Sequence, residues 1–379
     1  MKIILNTKYK DAVASTSYRL ALSKLEEVEC FDWDSYEKYD VALFMPYPED
    51  YLSLVEAKSK CPEIKTGVID PRGQEVEKYL SYIDFIVIDS IEMKDFFAKF
   101  HLPMFCYYEY PDIEERFKQH SPKDRVVIGY HGNKIHLMSM YPALTKALEL
   151  LGEKYDIELA AMYNIKNLGK WNIGVPENIS IKHVQWSFEA YYNELSRADI
   201  GIVPALIPIR NLDHIKSIST VCDEPVWGNA DDYMIRFKVP SNPGRIAIFS
   251  KLGIPVVADM LPSFLQTVQD EHNGFIAYSC AGWYNSLEKL IIDPELRQTF
   301  ADNMKKTIDS TMDYDTQNVN FLNFLEKMLK MSDSLEKNIF NWQVEGDLSS
   351  LFPKKEKNGR TYFGRVKQKI NKFLKNISL

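Results

Sequence analysis

Hydrophobic and polar positions in the first 115 residues alternate between two periods. Short apolar, largely β-branched runs at Lys2–Leu5, Val41–Met45, Lys65–Ile69, Phe85–Ile88 and Met104–Tyr108 have the length of buried strands. Between them Ser17–Val28, Glu49–Lys60, Glu75–Tyr82 and Ile91–Phe100 space their apolar residues as helices do. A repeated strand–helix order predicts a parallel sheet covered on both faces, so residues 1–115 read as a Rossmann-like domain. The chain turns polar around Pro111 to Lys123, and a linker is placed at 116–124. The alternation then restarts with strands at Arg125–Ile128, Ile157–Ala161, Ile179–Lys182, Ile200–Val203 and Phe275–Ala277. Helical patterns fall at His136–Leu151, Ser187–Ser196 and from Trp283 to about Met331. The sequence therefore predicts an α/β chain of two doubly wound domains, 1–115 and 125–331, followed by a charged segment at 332–379. Sheets of this kind bind ligands at the carboxyl ends of their strands, and two of them would share a cleft.

One stretch organises the second half. Lys238 to Asp259, KVPSNPGRIAIFSKLGIPVVAD, predicts a helix over Gly244–Lys251 and a buried strand within Gly253–Asp259. Ser241 and Asn242 are cap candidates, Pro243 suits the first turn, and Gly253 suits the helix end. A helix N-terminus presents unpaired N–H groups and a partial positive charge, and here Lys238 and Arg245 add two full charges. Lys238, Ser241, Asn242 and Arg245 together outline a phosphate site; the plainer alternative is a solvated loop. At the carboxyl end of a first-domain strand, Asp70 is placed to act as a base and Arg72 to grip an acidic acceptor, with Arg19 at the start of the first helix in a similar position. A turn cap explains Asp70 equally well.

Composition narrows the function classes. The 379-residue chain carries a net charge of −7, which argues against general nucleic-acid binding. The charge is uneven: residues 354–379 hold nine Lys or Arg against Glu356 alone. Within that tail Val366, Ile370, Phe373, Leu374 and Ile377 form one helical stripe, flanked by Lys367, Lys369, Lys372 and Lys375. Such a basic amphipathic helix over 365–379 suits an anionic membrane surface, or alternatively docking on protein. Five widely spaced cysteines, Cys30, Cys61, Cys106, Cys222 and Cys280, fit free thiols in a reducing cytoplasm. No apolar run approaches the roughly 20 residues that span a bilayer, so a cytoplasmic protein, peripheral at most, is expected.

Five motifs in register resemble the nucleotide-sugar-binding domain of GT-B-fold glycosyltransferases, above all the large retaining family. They are Val126-Val-Ile-Gly-Tyr-His-Gly-Asn133, Tyr192-Asn-Glu-Leu-Ser-Arg-Ala-Asp-Ile-Gly-Ile-Val-Pro204, Gly253-Ile-Pro-Val-Val-Ala258, His272-Asn-Gly-Phe275 and Asp293-Pro-Glu-Leu-Arg297. The likeness covers roughly 125–325. It departs where that family carries a Glu-x7-Glu pair, since Pro240 and Ile248 occupy those positions. Lys238-x-Pro-Ser-Asn-x-x-Arg245 instead looks like a Lys/Asn/Arg variant found in some bacterial surface-polysaccharide transferases.

The resemblance implies a GT-B glycosyltransferase with a nucleotide sugar as donor and a glycan or lipid-linked acceptor, working without a bound metal or other cofactor. It places the backbone of Gly132 and Asn133 near the donor phosphates, unless these form an ordinary strand-to-helix turn. Val184 and Gln185 fall on the family's path beside the nucleobase, and His131 becomes a catalytic candidate with Asp70. His136 is also well placed. Asp32-Trp-Asp34 imitates the metal motif of a different glycosyltransferase architecture and is discounted. Two alternatives remain: a non-catalytic sugar-nucleotide-binding subunit, and a GT-B-fold nucleotide-sugar epimerase, which would need a carboxylate pair and a histidine in the cleft.

Overall fold

The computed structural model describes residues 1–31, 35–71, 75–109, 113–207, 236–239 and 241–331. Arg72, Cys222, Pro240, the Asp32–Asp34 motif and the basic tail lie outside the described residues.

In chain order the first half forms β1 (Ile3–Asn6), α1 (Val13–Leu22), β2 (Val28–Cys30), β3 (Val41–Phe44), α2 (Pro48–Lys60) and β4 (Lys65–Ile69), then α3 (Glu75–Lys78), β5 (Phe85–Ile88), α4 (Ile91–Phe97) and β6 (Met104–Cys106). The second half begins with β7 (Val126–His131), α5 (Lys134–Ser139), α6 (Ala143–Gly152), β8 (Ile157–Tyr163), α7 (Ile165–Leu168), β9 (Ser180–Gln185), α8 (Phe188–Asn193) and β10 (Ile200–Val203). It continues through α9 (Gly244–Lys251), β11 (Val256–Asp259), α10 (Pro262–Leu265), β12 (Phe275–Ala277), α11 (Cys280–Ile292), α12 (Pro294–Thr311) and α13 (Tyr314–Lys330).

Two six-stranded sheets result, ordered β2-β1-β3-β4-β5-β6 and β12-β11-β10-β7-β8-β9. Their paired strands are parallel. Strands β1, β3, β5, β10 and β11 are buried along their whole length, as a sheet covered on both faces requires. The second order is that of a dinucleotide-binding sheet, whose strand order reverses between β7 and β10. This is the two-lobed, cleft-forming arrangement of the GT-B fold.

The elements depart from the sequence pattern where local chemistry interrupts a period. The helix expected over His136–Leu151 breaks into α5 and α6, because Pro142 has no N–H to donate and its ring crowds the preceding turn. The helix expected from Ser17 to Val28 ends at Leu22, and Val28–Cys30 becomes an edge strand of the first sheet. The helical end separates into three, with α12 and α13 starting at Asp293 and Asp313, whose carboxylates accept from Leu296 N at 2.9 Å and Thr316 N at 2.9 Å.

The last of these helices leaves its neighbours in sequence and joins the first lobe. Phe321, Leu325 and Met328 of α13 belong to the same core as Phe85 and Tyr107, and the Phe105 and Phe321 rings lie 5.2 Å apart. Asn318 fastens it, accepting from Tyr107 Oη at 2.8 Å and donating to the Ala21 carbonyl at 2.8 Å. The connection between the lobes runs along the second one. Lys118 N donates to the Leu252 carbonyl, and the Lys118 and Lys123 ammoniums each stand 2.7 Å from the buried Asp199 carboxylate. A Cβ on Gly253, which has φ +65°, would meet Lys118 N at 2.6 Å, so the glycine is needed both for its conformation and for this close passage.

Candidate functional site

The reversal of strand order in the second lobe fixes the centre of the site. Strand β7 ends at His131, and Gly132 follows with φ +138°. Strand β10 ends at Val203, followed by Pro204. Arg245, in the first turn of α9, reaches this crevice and donates from Nη1 to the Pro204 carbonyl at 2.8 Å. A Cβ on Gly132 would lie 2.9 Å from Tyr130 Oη and 3.2 Å from Arg245 Cδ, so the bare glycine leaves room for the arginine stem. Desolvation lowers the Arg245 pKa, yet a guanidinium stays charged at neutral pH. The α9 N-terminus, itself partly positive, points into the same place.

His131 forms part of the wall beneath. It is 2 % exposed, packs edge-on against Tyr191 and Phe249, and donates from Nε2 to the Arg245 carbonyl at 3.1 Å. Burial pushes its pKa down to about 3, leaving a neutral ring whose Nε2 proton is committed to the backbone of α9. His136, half-buried on α5, is pushed down to about 2 by burial and by the charges of Arg245 and Lys238.

Above this floor is a cavity of about 490 Å³, within the range of small-molecule sites. Gly132, Asn133, Gly244 and Arg245 line one end, while Trp186, Phe188 and Tyr191 line an aromatic side. Trp186 donates from Nε1 to Tyr191 Oη at 3.0 Å, and its ring lies 5.5 Å from that of Phe188. Thr16, Ser17 and Glu109 close the cavity from the first lobe. A second hollow of about 170 Å³ adjoins it, lined by Asp70, Asp89, His136, Ser241 and Phe264. Asn242 and Arg245 border both spaces.

The expected residues are distributed unevenly. Arg245, Asn242, Gly132, Asn133 and His131 line the larger cavity, and Asp70 and Ser241 the smaller one. The backbone role expected of Gly132 meets a competing use, because its N–H donates to the Met162 carbonyl at 3.1 Å. Asn133 caps α5, accepting from Ile135 N at 3.1 Å. Lys238 is exposed and Ser241 turns its hydroxyl back to the Lys238 carbonyl at 2.9 Å. Gln185 accepts from Lys166 N at 2.9 Å, and Val184 is buried; the cavity wall at this end is formed by their neighbour Trp186 instead. Arg19 lies in the last turn of α1, exposed, with its guanidinium 5.7 Å from the Phe31 ring, while Thr16 and Ser17 of the same helix face the cavity.

Several lining residues had no place in the sequence reading. Asp89 and Glu109 follow β5 and β6 at the carboxyl ends of strands, the same position that singled out Asp70, so one rule would have found all three. Asp259, which ends β11 and lies outside both linings, accepts from Leu206 N at 2.8 Å and steadies the chain leaving β10; burial raises its carboxyl to about 6. Among the described residues no helix is long and apolar enough to cross a membrane.

No family model matches the chain, and no curated protein matches it. Solved structures do. The lipopolysaccharide outer core galactosyltransferase WaaB, in its apo form, superposes with a TM-score of 0.58 at 12% identity, covering 86% of this chain and 99% of that one. HepE of Anabaena, in complex with UDP and glucose, gives 0.57 at 12% identity over 86% of this chain and 100% of its own. A glycosyltransferase from Rickettsia africae gives 0.55 at 13% identity over 87% and 99%. At such identities the likeness establishes the fold: the chain has the two-lobed GT-B architecture of these proteins.

Proposed function

We propose that this protein is a metal-independent, hexosyl-type GT-B glycosyltransferase, moving a sugar from a nucleotide-sugar donor to a glycan or lipid-linked acceptor in surface polysaccharide or glycoconjugate synthesis. The observation that carries the reading is Arg245, held at the β7/β10 reversal beside the α9 N-terminus under a cavity of about 490 Å³. In the transfer, the bond from the sugar's anomeric carbon to the diphosphate breaks and a bond to an acceptor oxygen forms. Negative charge grows on the departing diphosphate, and Arg245, the helix dipole and the exposed Lys238 stabilise it before any rearrangement is needed. The acceptor proton passes to a carboxylate at the first lobe's strand ends, for which Asp70 is the candidate. His131, neutral and bonded to the Arg245 carbonyl, positions α9 and has no proton-accepting nitrogen at Nε2. The nucleobase lies along Trp186 and Phe188, whose ring faces suit a heterocycle.

A solved protein of similar fold, HepE, holds UDP and glucose, which makes uridine diphosphate and its sugars the first ligands to try. The reaction is tested by release of UDP from a UDP-sugar panel with and without glycan or lipid-linked acceptors. Acceptor-dependent release supports transfer; nucleotide binding with no release under any acceptor supports the non-catalytic subunit. One observation favours a second enzymatic reading: Asp70, Asp89 and His136 share the smaller hollow, as an epimerase would require. Incorporation of solvent deuterium into the sugar of the donor, without acceptor, would identify that activity. Peripheral attachment through 365–379 is part of the proposal, and binding of the full chain to anionic vesicles, lost on truncation at 364, tests it.

A further inference from the structure

Asn242 stands two residues before α9, and both ends of its side-chain amide are committed. Its Oδ1 accepts from Gly244 N at 3.2 Å, the first N–H of the helix. Its Nδ2 donates to two carboxylates of the first lobe, Asp89 Oδ2 at 2.7 Å and Glu109 Oε2 at 3.1 Å. Asp89 is 1 % exposed, so this bond satisfies a carboxylate that water barely reaches. The neighbouring Val239 packs on the first lobe's core, extending the same contact. A primary amide supplies two donors and an acceptor on one short stem. Aspartate offers only acceptors when ionised, and alanine neither.

The Gly244 N–H that Oδ1 occupies is one of the α9 amides toward which a diphosphate would be drawn, and Glu109 lines the cavity such an anion would fill. An incoming anion therefore competes with Oδ1 for the helix end and repels the carboxylate that Nδ2 holds. We propose that Asn242 is a positioning residue that latches the two lobes together, and that the donor's phosphates compete with this latch for the α9 end, so that lobe spacing reports donor occupancy. The release half of this inference rests on the nucleotide-sugar reading above; the latch does not.

The test measures the distance between lobes by electron–electron dipolar spectroscopy on the full chain, with spin labels on p-acetylphenylalanine introduced at the exposed Leu52 of α2 and Ile292 of α11. Without ligand, the parent is expected to give one narrow distribution. Asn242→Ala is expected to add a longer-distance population. Asn242→Asp places a third carboxylate against Asp89 and Glu109, with Asp70, His136 and Arg245 also facing the hollow; it is expected to open the lobes further at pH 8 and to close them again at pH 5, where a protonated acid can donate one bond. Saturating UDP is expected to shift the parent's distribution and leave that of Asn242→Ala where it was, with UDP affinity within about tenfold of the parent. Cooperative thermal melts establish that both variants fold. Ligand-free distributions that superpose on the parent's for both variants overturn the latch. So does an Asn242→Ala chain that loses UDP binding with unchanged spacing, since Asn242 is then a phosphate ligand. Should the parent bind no UDP, the nucleotide-sugar reading and the release half fail together, and the ligand-free arms alone decide the latch.

Discussion

The two lobes build their cleft walls from the same kind of scaffold and furnish them with opposite chemistry. In the first lobe the strand ends carry Asp70, Asp89 and Glu109, joined by Thr16 and Ser17 of α1. In the second, Gly132 after β7 and the Pro204 carbonyl after β10 meet the guanidinium of Arg245 from α9, with that helix's N-terminus alongside, while the one carboxylate named there, Asp259 at the end of β11, is turned onto the backbone amides of Ala205 and Leu206. The parallel sheet decides where a ligand contacts the protein, and the few side chains beyond the strand ends decide its charge. One wall suits an anion, while the other offers acceptors for hydroxyl protons. A nucleotide sugar and a sugar acceptor, set face to face, are the pair of substrates this asymmetry fits.

The comparison breaks most readily at Arg245. Arg245→Ala removes the anion-binding side, and UDP affinity is expected to fall by about 3 kcal/mol, more than a hundredfold, by calorimetry. Asp70→Asn acts on the other wall only. It is expected to cut kcat by about 10²–10⁴ while UDP affinity stays unchanged, and equal losses in both would show that the walls do not divide the work.

Gly132→Ala sharpens the second wall's geometry. The new methyl would meet Tyr130 Oη and Arg245 Cδ at a backbone conformation that disfavours side chains, and a loss of about 1–3 kcal/mol in stability is expected from chemical denaturation. The effect that bears least on the site concerns pH. His131 and His136, together with His120 of the segment between the lobes, whose Nε2 donates to the Gly253 carbonyl at 2.8 Å, have pKa values brought down to about 3, 2 and 4, each lowered first by burial. Their unfolded counterparts titrate near 6.5, so between that pH and the folded values the unfolded chain binds more protons. Stability is then present above about pH 6.5 and is lost as the pH falls, by at most about 1.4 kcal/mol per pH unit for each histidine. Asp259, raised to about 6 by burial, opposes this by binding its proton in the fold first. All four groups follow residue 115 in the chain, so hydrogen exchange at pH 5 is expected to expose β7 and β8 before β4 and β5.

The alternation of strands and helices was legible because buried parallel strands are short apolar runs, and α9 forms over the residues its pattern predicted, Gly244–Lys251. The edge strand Val28–Cys30 was not, since its mixed burial leaves no apolar run. Nor was the return of α13 to the first lobe, because an amphipathic stripe does not name the sheet it will cover. The second lobe's lining residues Asn242 and Arg245 were readable for the reason α9 was: Lys238 to Arg245 are contiguous in sequence. The first lobe's wall is assembled from residues that lie far apart in the chain, Ser17, Asp70, Asp89 and Glu109, and only Asp70 was singled out. The place of Asn242 before a helix points to a phosphate, and no local pattern points to the partners on its amide, Asp89 and Glu109, which lie 153 and 133 residues away.

The central claim is that Arg245 and the α9 N-terminus hold the diphosphate of a nucleotide. Thermal unfolding with a panel of nucleoside diphosphates and nucleotide sugars, on the parent, Lys238→Ala and Arg245→Ala, tests it most directly. A ligand at about 100 times its dissociation constant adds roughly 2.7 kcal/mol, a readable shift for a chain of this size. The account predicts that one nucleotide family stabilises the parent, that Lys238→Ala weakens the shift and that Arg245→Ala abolishes it in a chain that still melts cooperatively. Full stabilisation of Arg245→Ala, or no stabilisation of the parent by any nucleotide, would contradict it.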